Sequence, residues 1–412
     1  MRISKLYAPH ISEKIEVETP ANIPTHKLLE RTDLADYEFA GTYSLLPLGV
    51  KVIRKLENLL KQKSEEIDLQ EFDLPLIQPR FLWEKSGRLA RFSNEIINTG
   101  RRFDNYILTP TNEEFATNLV RHGVNSYKKL PLHIYQIGEV FKGNTPSKGL
   151  IRSIAFEVYE AYSFNKDQKC LENSAKLFSN LFEQVFKKLE LDIKKFDSSS
   201  GDYTNYLLLS DDGEHKVLSC DKGHIYEYKP EVKNELCEKC DSRLNERRGL
   251  SIAMYKMFDD NFSKLFNLRF ATNTGKQEYP FMGTYVLGIS RLFYSIVDQH
   301  HDDKGILWPS CLAPFNFCVI PIDSSKAGDM NAAEHLYNSL TLINKGEVLF
   351  DDRLHKRVEG KKRSINLIGI PHIITVSTKD NKTNFGMEIR SKNINKNLSL
   401  EGLINYIKNE GY

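Results

Sequence analysis

The chain is poor in cysteine, with six among 412 residues, too few to cross-link a protein of this size. It also lacks any apolar run of the 18 or so residues that a membrane-spanning helix needs. Neither positive nor negative charge is in large excess: the chain has 57 lysines and arginines and 55 aspartates and glutamates, a net charge of +2. These deficits argue against a disulfide scaffold, an integral membrane protein and a chain coated with basic residues.

Several short enzyme motifs are missing as well. No phosphate-binding loop, dinucleotide fingerprint, HExxH zinc motif or GxSxG elbow occurs at a usable position. The N-terminal segment 1–24 carries three glutamates and no apolar core, so we expect neither a secretory signal nor a transit peptide. The sequence predicts a cytoplasmic protein of two or three domains, with no membrane partner.

Hydrophobic periodicity predicts two long helices and one antiparallel hairpin in the first three quarters of the chain. Two amphipathic helices, 48–60 and 171–189, accompany a hairpin of strands 132–141 and 155–164. Within 281–297 a glycine-bearing strand runs into a helix.

The last quarter has a different pattern. After Trp308, strands alternate with helices, which predicts a small α/β domain with a mixed sheet. We therefore predict two domains, 1–312 and 313–412, with a cysteine-bearing loop at 210–245 inside the first.

Five stretches of the chain carry recognisable motifs in a fixed order. They are TYSLLPLGVKVIRKLENLL with DLPLIQPRFLWEKSGR, LTPTNEE, SYKKLPLHIYQIGEVFKGNTPSKGLIRSIAFEVYEAYSF, MGTYVLGISRLFYSIVDQHHDDKGILWPSCLAPF and EVLFDDRLHKRVEGKKRSINLIGIPHIITV. Together they resemble the three motifs and the amino-acid-binding loop of class II aminoacyl-tRNA synthetases, and the anticodon-binding core of the bacterial type of prolyl-tRNA synthetase. The short distance between the second and third motifs is typical of the subtype without an editing insertion.

The resemblance implies an α+β class II catalytic domain, an antiparallel sheet flanked by helices, followed by a small α/β anticodon-binding-like domain, in a homodimer. It implies that proline, or a related small amino acid, is activated as an adenylate with ATP and Mg²⁺ and then transferred to tRNA. No DNA partner is expected.

The resemblance also implies roles for individual residues. Thr111 and Glu113 would bind the substrate's amino group, because a carboxylate suits a cationic amine. Thr284 and Met254 would line the amino acid pocket. The implied ATP ligands are Lys142, Asn144, Arg152, Phe156, Gln299 and Arg291, with Lys142 and Arg291 as the catalytic cations and Phe156 stacked on adenine.

Five positions depart from the family pattern. Lys142 replaces an arginine that grips the α-phosphate, and lysine lacks the bidentate fork of arginine. Asn144 and Ala155 replace glutamates, Met254 replaces a histidine, and Val286 replaces a glycine where the backbone approaches the ligand. Two alternatives therefore stay open: a diverged paralogue that passes an aminoacyl adenylate to an acceptor other than tRNA, and a non-catalytic tRNA-binding or regulatory protein.

Four residues in the 210–245 loop have the spacing of a zinc site. Cys220, His224, Cys237 and Cys240 form the pattern C-x₃-H-x₁₂-C-x₂-C. The first half of this pattern is irregular, so the alternative is a set of reduced cysteines in a loop without metal.

Basic residues are concentrated in the predicted second domain. Within 313–412, 14 basic residues oppose 11 acidic ones, a net charge of +3. Six of them lie within eleven positions: Arg353, Lys356, Arg357, Lys361, Lys362 and Arg363. This cluster predicts contact with an RNA backbone, with a solvated helix face as the alternative.

Overall fold

The computed structural model describes residues 1–12, 19–37, 39–143, 149–198, 203–228, 236–343, 347–380, 382–392 and 394–409. The chain forms two compact units. The central unit comprises 39–42 and 56–295, and the terminal unit comprises 1–38, 43–55 and 296–412. Among the described residues, no helix combines the length and the apolar character needed to cross a membrane.

The structure contains twelve α-helices within the described ranges. They are α1 (Pro9–Ser12), α2 (Thr25–Arg31), α3 (Pro47–Glu65), α4 (Arg80–Ser86), α5 (Arg88–Arg91), α6 (Glu113–Val120), α7 (Gln168–Lys188), α8 (Asn261–Leu265), α9 (Ile289–Gln299), α10 (Ala327–Ile343), α11 (Val358–Ile368) and α12 (Leu400–Asn409).

The strands vary from two to fourteen residues. Those of the N-terminal half are β1 (Ala35–Asp36), β2 (Ser44–Leu45), β3 (Gln70–Glu71), β4 (Ile77–Pro79), β5 (Ile97–Asn98), β6 (Tyr106–Leu108), β7 (Leu132–Phe141), β8 (Ala155–Asn165) and β9 (Ile193–Asp197). The next are β10 (Tyr203–Leu209), β11 (His215–Ser219), β12 (Ile225–Glu227), β13 (Asn245–Phe258), β14 (Phe270–Ala271), β15 (Gln277–Glu278) and β16 (Phe281–Gly288). The last are β17 (His301–Asp302), β18 (Gly305–Ile306), β19 (Phe317–Pro321), β20 (Val348–Phe350), β21 (His372–Lys379), β22 (Lys382–Ile389) and β23 (Ile394–Leu398).

A nine-stranded sheet forms the middle of the central unit. Its main path runs β12-β11-β13-β16-β8-β7-β3, and β10 pairs with both β13 and β9. All these pairings are antiparallel except that of β3 with β7. The predicted antiparallel sheet, with β7 and β8 as its hairpin, is confirmed.

The two faces of this sheet bury different side chains, because successive strand residues point to opposite sides. On one face Tyr285 stacks on Phe178 of α7 with ring centroids 3.8 Å apart, and Tyr159 packs edge-on against Phe182. Burying each such ring stabilises the fold by roughly 1.5–3 kcal/mol. The amphipathic stripe predicted for this helix is the contact that covers the face.

The opposite face carries a second apolar cluster and, beside it, polar side chains. Trp83 of α4, Phe262 of α8 and Ala116 of α6 are buried there together with Phe164 and Met282 of the sheet. The strands thus present one face rich in aromatic rings to α7 and one mixed face to the short helices.

The terminal unit contains the mixed sheet that the sequence predicts. Its order is β20-β19-β21-β22-β23, with parallel pairing among the first three strands and antiparallel pairing in the rest. Strand β23 was not predicted, because its three central residues are all exposed and leave no apolar alternation to recognise.

The N-terminal residues belong to this same terminal unit. The Met1 amino group donates to Tyr337 Oη at 2.8 Å and to the Val348 carbonyl at 3.0 Å, while Arg2 forms an ion pair with Glu334 at 2.7 Å. The compact units therefore divide the chain elsewhere than at 312/313, and the division into functional domains stays a prediction.

Candidate functional site

The loop Thr111–Asn112–Glu113 joins β6 to α6 on the mixed face of the sheet. Asn112 is the N-cap residue of α6, and Glu113 is the first helical residue, with only 4% of its surface exposed. A carboxylate is favoured at this end of a helix, where unpaired backbone N–H groups carry positive charge. Glu113 is thus a buried carboxylate at a position where the positive end of the helix stabilises its negative charge.

Arg88 is the cation that holds this loop. Its Nη1 lies 3.0 Å from Glu113 Oε2 and 3.0 Å from Glu114 Oε2, and its Nη2 donates to Thr111 Oγ1 at 3.2 Å. Its guanidinium also sits 4.7 Å from the ring centre of Phe92, an attractive cation–π arrangement. One arginine therefore fixes both residues predicted to bind the substrate's amino group.

The two neighbouring glutamates differ in their readiness to ionise. Burial opposes ionisation of Glu113, but the charge of Arg88 and the Thr111 hydroxyl outweigh it and hold the pKa of Glu113 below its ordinary value. For Glu114, burial raises the pKa to about 7, with Arg88 lowering it in part and the charge of Glu113 raising it further. At neutral pH the Glu113 carboxyl group of the loop is therefore ionised.

A buried polar network stands behind the loop. Glu160 Oε2 on β8 accepts from Asn112 Nδ2 at 2.5 Å and from Gln136 Nε2 at 2.9 Å. Gln78 donates to Asn112 Oδ1 and accepts from Trp83 Nε1 at 2.9 Å. Because buried networks with satisfied partners are rigid, this one fixes the loop from below.

The strand register places the residues predicted to line the amino acid pocket on the same face as this network. Met254, Val286, Glu160 and Gln136 are successive Cα partners across β13, β16, β8 and β7, so their side chains share the mixed face. Thr284 lies one step along on that face, and its buried hydroxyl has no hydrogen-bond partner among the described residues. That hydroxyl is available to a ligand.

Arg291, near the start of α9, is held by a second carboxylate. Its Nη1 lies 2.6 Å from Glu214 Oε1 and donates to the Ser251 carbonyl at 2.8 Å. Burial lowers the pKa of neighbouring His215, and the charges of Arg291 and Arg152 lower it further, so both arginines act on one position. Arg291 Nε also donates to the carbonyl of Ile151 at 3.3 Å, which puts Arg291 beside the segment that carries Arg152.

Two more of the predicted ATP ligands lie on or directly beside the hairpin of β7 and β8. Lys142 follows β7 and pairs with Glu95 at 3.3 Å, with its side chain still partly exposed. Phe156, near the start of β8, is half-buried opposite Val140.

Two further residues are predicted to contact ATP. Asn144 lies outside the described residues, and Gln299 is the exposed last residue of α9. All these ATP roles stay predictions.

The basic cluster of the terminal unit is only partly a surface. Lys361 is 1% exposed and donates to Ser324 Oγ at 2.6 Å, so the prediction that it contacts RNA is wrong. Arg353 forms a two-pronged ion pair with the Asp351 carboxylate, and Lys356 donates to the Ile11 carbonyl.

The rest of the cluster faces outward to different degrees. Lys362 is half-buried and pairs with Glu388 at 3.1 Å. Arg357 and Arg363 are exposed. Spacing along the chain could not distinguish the buried from the exposed basic residues, because α11 buries one side of the basic cluster.

The four predicted zinc ligands come together in the central unit. One donor atom from each of Cys220, His224, Cys237 and Cys240 lies within 4.8 Å of the other three. The irregular spacing of the first half is therefore no obstacle to a shared site.

Three residues central to this geometry were absent from the predictions. Arg88 and Glu214 act through distant partners, which no spacing rule connects. Glu160 did leave a signal, because it stands between the apolar pairs Val158–Tyr159 and Ala161–Tyr162 of β8, and an acid is seldom buried there without a partner.

Glu160 gives a testable pH dependence. Burial raises its pKa to about 7, partly offset by the hydrogen bond from Asn112. A raised folded-state pKa means that its contribution to stability is complete below pH 4.5 and is lost as the pH rises through 7. We expect the Glu160→Gln variant to lose less of its free energy of unfolding between pH 5 and pH 8, by on the order of 2–3 kcal/mol.

Urea unfolding at several pH values measures this difference. Glu139→Gln, the same exchange at an exposed position on neighbouring β7, is the matched control and should follow the unmodified chain. Parallel curves for Glu160→Gln and the unmodified chain would contradict the assignment.

Comparison with known proteins gives one consistent family. Residues 96–300 match the tRNA synthetase class II core domain (G, H, P, S and T). The proline–tRNA ligase of Wolbachia sp. subsp. Brugia malayi is 30% identical, with 98% of this chain and 99% of that protein covered. The proline–tRNA ligase of Ehrlichia ruminantium is also 30% identical, covering 99% of this chain and all of that protein.

Solved structures agree on the fold. Prolyl-tRNA synthetase from Cryptosporidium parvum, complexed with halofuginone and AMPPNP, has a TM-score of 0.75 at 17% identity, covering 93% of this chain and 74% of that one. The Giardia lamblia enzyme in complex with prolyl-adenylate has a TM-score of 0.72 at 16% identity, covering 92% and 74%. With full-length relatives at 30% identity, the chain belongs to the prolyl-tRNA synthetase family and is built on the class II synthetase core.

Proposed function

We propose that the protein activates proline with ATP and transfers the prolyl group to tRNA. The observation that carries this proposal is the surplus of buried carboxyl groups around the substrate loop. Glu113, Glu114 and Glu160 lie on the mixed face, with Arg88 paired to the first two. The secondary ammonium group of proline would add the second cation that this set of acids favours.

The reaction follows the chemistry of an acyl adenylate. The proline carboxylate attacks the α-phosphorus of ATP, and pyrophosphate leaves with its bonding electrons. A ribose hydroxyl of tRNA then attacks the acyl carbon, and AMP leaves. Glu113 and Thr111 would hold the ammonium group, while Arg291 and Arg152 would stabilise charge on the departing phosphates.

Magnesium fits beside these arginines. Glu214 Oε2 is buried and has no hydrogen-bond partner among the described residues, and carboxylate oxygens are the ligands that Mg²⁺ prefers. Glu214 would hold the ion that accompanies ATP, and the ion would neutralise phosphate charge.

Exchange of radiolabelled pyrophosphate into ATP tests the proposal. We expect proline to support exchange above alanine, cysteine and other small amino acids, and tRNA to be charged with proline. Absence of exchange with every amino acid at high enzyme concentration would rule the proposal out. Pyrophosphate exchange without charging of tRNA would favour transfer of the prolyl group to an acceptor other than tRNA. The ion pair of Lys142 with Glu95 is the observation that motivates this alternative.

The departures from the family pattern give a second prediction. Val286 lies between Met254 and Glu160 in the cross-strand row, and Lys142 offers a single point charge. Combining Val286→Gly with Lys142→Arg should raise kcat/KM for ATP in the exchange assay by about tenfold, because arginine binds phosphate through two donors and glycine clears the approach. Lys166→Arg, on the exposed turn after β8, is the control and should leave exchange unchanged. Unaltered or lower activity in the double variant would show that these two residues do not limit catalysis.

We also propose that two copies associate through the small sheet β5-β6-β4. Register pairs Ile77 with Leu108 and Pro79 with Tyr106, which puts these side chains on one face. Ile77 is 50% exposed and Tyr106 is 44% exposed, an apolar face that a second copy would cover. Sedimentation velocity of the intact chain checks this proposal, because it gives the mass of the species present in solution.

The terminal unit would supply the contact to tRNA. Arg357 and Arg363 are the exposed cations that remain from the basic cluster, with Lys362 beside them. We place the protein in the cytoplasm, where reducing conditions keep cysteine side chains as thiols.

A further inference from the structure

The loop after β11 contains a cluster of thiol and imidazole groups that the synthetase reaction does not use. We call Cys220, His224, Cys237 and Cys240 the thiol–imidazole cluster. His224 Nδ1 lies 3.4 Å from Cys220 Sγ and 3.3 Å from Cys237 Sγ, and Cys240 Sγ lies 3.6 Å from Cys220 Sγ. A disulfide would need about 2.05 Å between sulfurs, and the three cysteines are reduced.

These distances are those of a tetrahedron of metal ligands. Bonds of about 2.3 Å to sulfur and 2.0 Å to nitrogen place neighbouring ligands roughly 3.8 Å apart for two sulfurs and 3.5 Å for sulfur and nitrogen. The observed separations fall within about 0.2 Å of those edges. Four donors of this type converge on one point that an ion would occupy.

Two tight turns bring the donors together. After β11, the Gly223 amide donates to the Cys220 carbonyl at 2.9 Å and the His224 amide approaches Cys220 Sγ at 3.4 Å. Gly223 has φ +79°, a conformation that glycine adopts without strain. In the second turn, the amides of Cys240 and Asp241 both donate to the Cys237 carbonyl, at 3.1 and 2.8 Å.

The surroundings of the cluster fit a structural site. Cys237 is fully buried and Cys220 nearly so, in a small core with Leu218 and Leu244 that is separate from the main cores of the central unit. The Tyr226 hydroxyl lies 3.3 Å from Cys237 Sγ, in position to donate to a thiolate, as second-shell groups do around metal ligands. So small an apolar core would gain much of its stability from an ion.

We propose that the thiol–imidazole cluster binds one Zn²⁺ in tetrahedral coordination by three thiolates and one imidazole. Thiolate and imidazole donors in a tetrahedron select zinc over the harder cations Mg²⁺ and Ca²⁺. All four positions are supplied by the chain, so the ion holds structure and does not activate water. It ties the end of β11 to the turn at 237–241, and β11 begins directly after Glu214, the partner of Arg291.

Metal content of the intact protein tests the proposal independently of any synthetase activity. The chain is purified in reductant without chelators or metal-affinity resin, and zinc is measured by mass spectrometry. We expect one zinc per chain, and less than about 0.2 in Cys237→Ser and in His224→Ala. Cys311→Ser, outside the cluster, is the matched control and should retain one zinc.

Cobalt binding to the unmodified chain keeps the test decisive if the cysteine variants fail to fold. Metal-depleted protein titrated with Co²⁺ should develop thiolate-to-cobalt charge-transfer absorption and strong visible bands of tetrahedral Co²⁺, saturating at one equivalent and abolished by Zn²⁺. A zinc content below about 0.2 per chain together with no saturable cobalt spectrum would overturn the proposal. Folded Cys237→Ser or His224→Ala protein that binds as much zinc as the unmodified chain would overturn it as well.

Discussion

Replacing Arg88 with methionine is expected to lower the free energy of unfolding by about 3–5 kcal/mol at pH 7.5, the usual cost of stranding a buried charge. Arg88 is mostly buried and pairs with Glu113 and Glu114 at 3.0 Å each. Methionine keeps the packing volume against Trp83 and Phe92 but leaves Glu113 and Glu114 without their cation. The loss should shrink toward pH 5, because protonated carboxyl groups need no partner.

Urea unfolding followed by circular dichroism measures this loss. Arg80→Met is the matched control: its ion pair with Glu84, four residues away on α4, is exposed, and such pairs contribute roughly 0.3–0.5 kcal/mol. The double variant Arg88→Met with Glu114→Gln should recover part of the loss, since one stranded carboxylate is removed. A change below 1 kcal/mol for Arg88→Met alone would show that the acids are solvated or protonated without it.

Strong local patterns predicted the elements that surround this site. The apolar runs of β7 and β8 and the apolar stripe of α7 are strong signals, because the two strands are largely buried and α7 packs one stripe against the sheet. Strand β13 was missed because its first four residues, Asn245 to Arg248, are exposed and polar. Its assignment depends on three partner strands that lie far away in sequence.

The chemistry of the site was predictable only through resemblance to the family. Thr111 and Glu113 were found from a short motif, yet the motif does not show that Arg88 pairs with Glu113 and donates to the Thr111 hydroxyl. With Lys361 the sequence pattern predicted too much. Six basic residues within eleven positions suggest one basic surface, but α11 directs Lys361 inward to Ser324 and the Asp351 carbonyl. Contacts between residues that are apart in the sequence decide both cases, and composition carries no record of these contacts.

Glu113→Gln is expected to reduce kcat/KM for proline in pyrophosphate exchange by about 10²–10³-fold, with KM for ATP changed less than about threefold. The amide keeps a hydrogen-bond acceptor for the substrate but removes the negative charge, and loss of one partner from a buried charge pair costs about 2–5 kcal/mol. The charge is present at neutral pH because burial is outweighed by Arg88 and Thr111, which hold the pKa of Glu113 low.

Glu114→Gln separates this charge effect from loop stability. It makes the same exchange on the next residue, against the same arginine, but its side chain hydrogen-bonds to Ser86 and its pKa of about 7 leaves it partly protonated. We expect its kcat/KM for proline to stay within about fivefold of the unmodified chain. Equal losses in both variants would assign the effect to the shared pairing with Arg88, whereas a selective loss in Glu113→Gln identifies the carboxylate that meets the proline ammonium group.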